Sequence, residues 1–337
     1  MDKDLSLAPI AFFAYKRPFH TRKTLESLIT NKLAAKSTIY VFLDGPKSNK
    51  DRKLNLEVKQ IIESFSSCFK YMRINHKKNN IGLANNIVKG IDEVFASYKK
   101  IIVLEDDIEV SKVFLEYMND ALTRYENEKR VWHISAYTQP FAYEGKKSRF
   151  FWKYMNCWGW GTWKNRWKFY FKDPQYLIDN FSSRQIKSFN FDGLLQDWDQ
   201  VILNKNKKID TWAIFWQATI FIKNGLCLNP VNSLSRNIGH DNTGENCGEI
   251  RELISQKVNN RINNNYPLSI EEDIEIIQKI KPYIKVKFLY LKKLFFYFEN
   301  FFPFGLILKK KFKLILNFFR LCNSFYKKRF KIKLGKF

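Results

Sequence analysis

The sequence predicts an α/β fold: a mostly parallel sheet flanked by helices, followed by a basic amphipathic helical tail. Three observations carry this expectation. Apolar runs of strand length alternate with longer amphipathic stretches over residues 9–136, the pattern of parallel strands joined by helical crossovers. One such run, Ile101–Leu104, ends on three consecutive acids, Glu105, Asp106 and Asp107. Residues 281–337 differ from all the rest, with sixteen Lys or Arg against one acid and seventeen aromatics.

In order, Pro9–Tyr15 (PIAFFAY) reads as a first buried strand, ended by Lys16, Arg17 and Pro18. Thr21–Asn31 follows as an amphipathic helix with Leu25, Leu28 and Ile29 inward. Ser37–Leu43 is a second strand, closed by the turn signal Asp44-Gly45-Pro46. A helix over Asp51–Phe65, a short strand over Tyr71–Asn75 and a helix from Gly82 to about Tyr98 come next. Ile101–Leu104 is the fourth strand, apolar enough to be buried on both faces. Burying the three acids after it would be too costly. They are expected at the strand's exposed carboxyl end, where open α/β sheets bind ligands and a cation can neutralise them. The alternative is an acidic turn before a helix capped by Ser111. With right-handed crossovers, Arg17, Asp44 and Glu105–Asp107 fall along one edge. Neither GxxxxGK[ST] nor GxGxxG is present, so a metal ion is the expected counter-charge for any phosphate.

Ser111–Tyr125 reads as a helix and Val131–Ala136 as a strand. The stretch Phe150–Trp167 packs Trp152, Trp158, Trp160, Trp163 and Trp167 around Gly159 and Gly161. Glycines between aromatics permit close backbone approach. Such rings serve as a floor for sugars or as core, and core is the expectation for most of them. Gly193–Asn204 reads as a helix with Asp197 and Asp199 flanking Trp198. Those two acids point about 200° apart, so at most one faces a given site. Ile209–Pro230 holds a further helix and strand. Ser233–Asn246 combines Arg236, His240 and Asp241 with two glycines. It is either a surface loop or a phosphate-and-metal lid with His240 as a ligand. Asn259–Asn265 reads as a linker.

The formal charge is +25, of which +15 lies in residues 281–337, so it belongs mainly to the tail. The first residues lack the basic segment and cleavage site of a signal peptide, and no run of 18 uncharged apolar residues promises a spanning helix. The five cysteines (68, 157, 227, 247 and 322) show no CxxC spacing, so neither a disulfide framework nor a zinc site is expected, and a reducing cytoplasm fits. In the tail, Pro303 and Gly305 separate two helical halves in which Lys and Arg adjoin Phe, Tyr, Leu and Ile. That composition suits a helix lying on an anionic membrane surface. The alternative is packing on the domain or on a partner. Charge beside aromatics also permits nucleic-acid binding, but no recognised module supports it and no nucleic acid is expected.

Over residues 7–246 the order of these motifs resembles GT-A-fold glycosyltransferases. The nearest look-alikes are the N-acetylglucosaminyltransferase I family and bacterial family 2 sugar transferases. APIAFFAYKRP resembles the opening strand and basic turn that meet the nucleotide, with Arg17. LDGPK resembles the acidic strand end that contacts the base, with Asp44. NNIGLANNI is similar to the NxGxAxxxN pattern, with Asn80 and Gly82. VLEDDIEV looks like the metal motif, in which Asp107 reaches the metal beside Glu105 and Asp106. MNCWGWGTW resembles an acceptor segment, with Trp158, Gly159 and Trp160. QDWDQ resembles the segment bearing the catalytic base, mapping to Asp197 with Asp199 as fallback. SRNIGHDNTG resembles the closing loop that contacts the diphosphate, with Arg236 on the donor and His240 as a further metal ligand.

The resemblance implies an inverting, metal-dependent glycosyltransferase, hexosyl or N-acetylhexosaminyl, using Mn²⁺ or Mg²⁺. The donor would be a nucleotide-diphosphate sugar, with a UDP-sugar favoured, and the acceptor a glycan or a lipid-linked hydroxyl. The implied setting is bacterial surface glycan synthesis, lipopolysaccharide or capsule, at the inner face of the cell membrane. Glu105 stands where the plain DxD form has Asp, and the tail has no counterpart in the family. A sugar nucleotidyltransferase is the second reading, though Ala14–Arg17 makes a poor glycine-rich phosphate loop. The expected organisation is a GT-A-like domain over 1–250, a linker and helix over 251–280, and the tail over 281–337.

Overall fold

Ile10–Ala14 (β1) is buried at every residue, as a strand covered on both faces must be. The computed structural model describes residues 7–241, 255–261 and 263–284. Thr38–Leu43 (β2), Tyr71–His76 (β3) and Lys100–Glu105 (β4) alternate with helices Pro18–Ile29 (α1), Asn49–Ser64 (α2) and Leu83–Ser97 (α3). β1 pairs parallel with β2 and β4, and β2 with β3. Val131–Ser135 (β6), Arg149–Trp152 (β7), Trp160–Trp163 (β8) and Leu226–Pro230 (β9) extend the sheet. Among the described residues it has eight strands, in the order β3-β2-β1-β4-β8-β6-β9-β7. β8 runs antiparallel to β4 and β6, and β7 antiparallel to β9, so all but β7 and β8 share one direction. The chain is α/β with a largely parallel central sheet flanked by helices.

Alternation along the strands divides the core. Ile10, Phe12, Ile102 and Leu104 pack with Leu25 and Leu28 of α1, Val58 and Ile62 of α2, and Leu115 and Met118 of Phe114–Arg124 (α4). Ala11, Phe13, Ile101 and Val103 pack on the other side. They meet Ile87 and Ile91 of α3, Trp216 and Ile220 of Ala213–Ile222 (α9), and Ile276, Ile277 and Ile280. Those last isoleucines belong to a helix over residues 274–284, called α10 below. Lys164–Trp167 (α5) continues directly from β8. Pro174–Asn180 (α6), Ser183–Phe189 (α7) and Trp198–Lys205 (α8) build a third apolar cluster with the outer face of α9.

Several boundaries differ from the sequence reading for local reasons. α1 starts at Pro18, since proline fits the first helical position, where the amide has no helical partner. The helix expected from Ser111 begins at Phe114, because Ile108–Val110 (β5) pairs antiparallel with Ser235–Asn237 (β10). The helix expected over Gly193–Asn204 is only α8, because Phe191, Asp192 and Gly193 all have positive φ. Asp197 therefore stands at the start of that helix rather than within it. The linker reading of Asn259–Asn265 is replaced by a docked strap. The Asn259 N–H donates to the Ser233 carbonyl, and Arg149 donates to the carbonyls of Asn263 and Asn265. The first compact unit ends at Ile284. The basic tail lies outside the described residues.

Candidate active site

β4 lies beside β1 on the side opposite β2 and β3, so strand order reverses at the β1/β4 seam. Loops leaving neighbouring strands diverge at such a point and open a crevice at their carboxyl ends. The crevice here is a cavity of about 430 Å³. Arg17, Asp44, Asn80, Glu105, Asp106 and Asp107 all line it, so residues from four separate stretches of sequence converge.

The strand register explains the central contact. Phe13 of β1 stands opposite Glu105 of β4, which sets the turns after both strands side by side. Arg17 Nη2 lies 2.5 Å from Asp106 Oδ1 and 2.9 Å from Asp107 Oδ2. The Tyr15 N–H donates to Asp106 Oδ2, and the Thr24 hydroxyl donates to the Asp106 carbonyl. Burial works against the Arg17 cation, but Asp106 and Asp107 outweigh it and hold its pKa above the ordinary value. Burial, then Asp107 and Asp106, pushes Glu105 up to about 8. Burial also raises Asp106, against the opposing pull of Arg17. Three acids thus stand around one guanidinium, and burial together with their mutual repulsion raises Glu105 and Asp106. Arg17 Nη1 is buried with no hydrogen-bond partner among the described residues, so the cluster also holds an unfilled donor.

A second layer frames this cluster. Asp44 accepts from the N–H groups of Gly45, Ile81 and Gly82, and Asn80 donates to the Gly45 carbonyl. Gly82 has φ +82°, a region that favours glycine, and its N–H also donates to Asn80 Oδ1. Asp44 and Asn80 therefore tie the turn after β2 to the loop entering α3. Gly82 acts within that tie and does not itself line the cavity. Asn86 was not singled out from the sequence, yet it lines the cavity, and its Oδ1 is buried without a partner. Lys16 and Lys47 also line it; the sequence reading held them within the YKRP and LDGPK turns and gave neither a site role of its own. Lys16 pairs with Asp51 at 2.8 Å, and the Tyr15 hydroxyl donates to the same carboxylate. Basic residues beside a strand end were the one available signal for both lysines.

The stretch after β9 closes over the acids. β10 pairs with β5, and the Ile238 N–H donates to the Asp107 carbonyl at 2.9 Å. A Cβ at Gly239 would lie 2.2 Å from Asp107 Oδ2 and 2.7 Å from Arg17 Nη1, so a side chain there would have to displace the Arg17–Asp107 pair. Asn237 lines the cavity; Arg236 does not, being paired with Glu109 across the β5–β10 ladder. His240 packs edge-on against the Trp158 ring at 5.3 Å, and Asp241 pairs with His20 at 3.1 Å.

The aromatic stretch divides. Trp158 lines the cavity. Trp160 is fully buried, stacked between His133 and Trp212, and a Cβ at Gly159 would meet Phe114, Leu104 and Ala136. Gly159 and Trp160, expected at the acceptor, pack in the interior and neither lines the cavity. Asp197 does not line the cavity but accepts from Gln200, which does, at 3.4 Å. Its Oδ2 is buried without a partner, and burial raises its pKa to about 6 against the Gln200 hydrogen bond. Asp199 is exposed.

Among the described residues no three His, Cys, Asp or Glu side chains converge as a ready-made metal cage. The hard oxygens of Asp106 and Asp107 fit a cation that takes its remaining ligands from a phosphate and water.

No protein-family model matches the chain, and no curated protein matches its sequence. Solved structures do. A mannosyltransferase from Pyrobaculum calidifontis, in complex with GDP-Man and Mn²⁺, has a TM-score of 0.34 at 9% identity, over 48% of this chain and 46% of its own. TarS of S. aureus has a TM-score of 0.28 at 14% identity, over 37% of this chain and 21% of its own. A cytidylyltransferase from Leptospira borgpetersenii has a TM-score of 0.32 at 14% identity, over 51% of this chain and 71% of its own. The chain thus spans less than half of the mannosyltransferase and about a fifth of TarS.

Proposed function

We propose that the chain is a GT-A-like glycosyltransferase. It would move a sugar from a nucleotide-diphosphate donor, with a UDP-sugar favoured, to a hydroxyl of a glycan or lipid-linked acceptor. The observation that carries this reading is the meeting of Arg17 with Asp106 and Asp107 in a cavity at the β1/β4 switch point. Arg17, Lys16 and Lys47 put positive charge on one wall of the cavity, which is suited to a diphosphate. Asp44 and Asn80 hold the loop on which a nucleoside would rest. Mn²⁺ or Mg²⁺, held by Asp107 with Asp106 beside it, would offset the charge that the diphosphate gains on leaving. Asp197, raised to about 6 and joined to the cavity wall through Gln200, would be the base for the acceptor's hydroxyl proton. The acceptor oxygen then bonds to the anomeric carbon as the carbon–oxygen bond to the diphosphate breaks. A single direct displacement of this kind inverts that carbon.

The nucleotidyltransferase reading is disfavoured by the turn after β1. No glycine lies between Pro9 and Asp44, and α1 begins immediately after Arg17. Side chains, not a glycine-rich backbone loop, must meet the phosphates. The test is mass-spectrometric screening of nucleotide-sugar hydrolysis with Mn²⁺. At least one donor is expected to be cleaved by the native chain and left intact by Asp107→Asn at unchanged melting temperature. Equal cleavage by both, with EDTA present, overturns the metal role.

The same proposal places the protein on the inner face of the cell membrane, in surface glycan synthesis, through the tail's sixteen cations and seventeen aromatics. Each cation near an anionic surface contributes about 1 kcal/mol. Among the described residues no helix is long and apolar enough to cross a membrane. Flotation with anionic vesicles is expected to carry the full chain and leave residues 1–284 in solution. Equal recovery of both in the soluble fraction at low salt removes this part of the proposal.

A further inference from the structure

A second cavity, of about 180 Å³, lies away from the acids, between β7, the turn after α7, α9 and α10. Ligand pockets for drug-sized molecules run from about 300 Å³ upward, so this one suits a single ring. Its walls are aromatic. Trp152 and Phe191 meet edge to face at 5.7 Å, and Tyr154 lies 5.6 Å from Trp152 and 6.3 Å from Phe191. The rim is charged. Lys281 pairs with Asp192 at 2.8 Å, and Lys153 pairs with Glu272 at 3.5 Å.

One feature of the backbone marks this cavity as more than a packing gap; Trp152, 2% exposed with its indole N–H shut away from solvent, packs behind the wall. Phe191 and Asp192 hold φ +51° and +58°, one after the other and just before Gly193. Non-glycine residues in that region are strained by about 1–3 kcal/mol each, and such strain clusters at ligand clamps. Here the strained turn sets the Phe191 ring against Trp152 and puts Asp192 on Lys281. The Lys281 ammonium also lies 5.4 Å from the Phe191 ring centre.

We infer that this cavity is a saccharide-binding subsite that takes one pyranose ring of the acceptor glycan. The apolar face of the ring would stack on Phe191 or Tyr154. Its hydroxyls would meet the Asp192, Lys281 and Glu272 rim. The cavity is joined to the candidate active site through the chain. Residues 152–154 line one, and Cys157 and Trp158 line the other. Gln217 holds the intervening segment, donating to the Lys153 carbonyl and accepting from the Met155 N–H. A glycan engaged here would thus be held at a site separate from the reacting one. The assignment of a sugar as ligand rests on the proposed glycosyl transfer.

The test is saturation-transfer NMR on the full chain. The probes are methyl glycosides of glucose, galactose, mannose, rhamnose, N-acetylglucosamine and N-acetylgalactosamine. Phe191→Gly removes the ring at a backbone position where glycine is unstrained, and Asp192→Asn breaks the rim pair with a residue that tolerates positive φ. At least one glycoside is expected to bind the native chain and Asp107→Asn alike, and to bind each of the two cavity variants at least tenfold more weakly. Donor hydrolysis should be unchanged in both cavity variants. Absence of binding by all six glycosides overturns the inference, as does binding indifferent to both cavity variants. Donor hydrolysis reports separately on the proposed function, so a chain that cleaves donor and binds no glycoside refutes the subsite alone.

Discussion

The two halves of the main sheet make their contributions to the site in opposite ways. In the half built from β1 to β4, the polar side chains at the ends of β1, β2 and β4 face the cavity. Arg17, Asp44, Glu105, Asp106 and Asp107 all line it. In the half built from β6 to β9, the conspicuous residues are aromatic and most turn inward. Trp152, Trp160, Trp163 and Trp167 are buried, and Trp158 alone of the five lines the main cavity. A strand end is a place where the chain leaves the core, so charge there has few destinations. An aromatic side chain on a strand has two, and the face of the sheet decides between them.

Asp197 tests the comparison most severely, because it is the acid that the aromatic half supplies. Asp197→Asn is expected to lower turnover about 10²–10⁴-fold with donor affinity kept. In the native chain the rate should fall as pH drops through about 6, since the base must be ionised. A carboxyl raised by burial opposes folding where it is ionised. The Asn variant should therefore melt higher at pH 7, and the difference should vanish below about pH 4, where both states hold the proton. A dead Asp199→Asn beside a normal Asp197→Asn would move the assignment to the exposed neighbour.

Two tryptophans two residues apart sharpen the comparison further. Trp160→Ala empties a stacked interior site and should cost about 3–5 kcal/mol of stability by chemical denaturation. Trp158→Ala should cost less stability and act on the acceptor, raising its KM about tenfold with little change in donor cleavage. If the two variants were equally destabilised with equal kinetics, the division of the aromatic stretch would be wrong.

The sequence alone was enough to place the alternating strands and helices of the first half, the acids at the end of β4 and the meeting of Arg17, Asp44 and Asp107 along one edge. Those features depend on neighbours in the chain: period, turn residues and charges that cannot be buried. It was not enough for contacts made at long range. Nothing local shows that β10 must pair with β5, more than a hundred residues away, and so set Gly239 against Asp107 and turn Arg236 towards Glu109. Nothing in NNRINNN shows that its asparagine carbonyls will hold Arg149. The positive φ run at Phe191–Gly193 cut short a helix that periodicity favoured. Tertiary packing decided these points because each depends on which backbone and side-chain groups become neighbours only after the sheet has closed, and burial then fixes their partners.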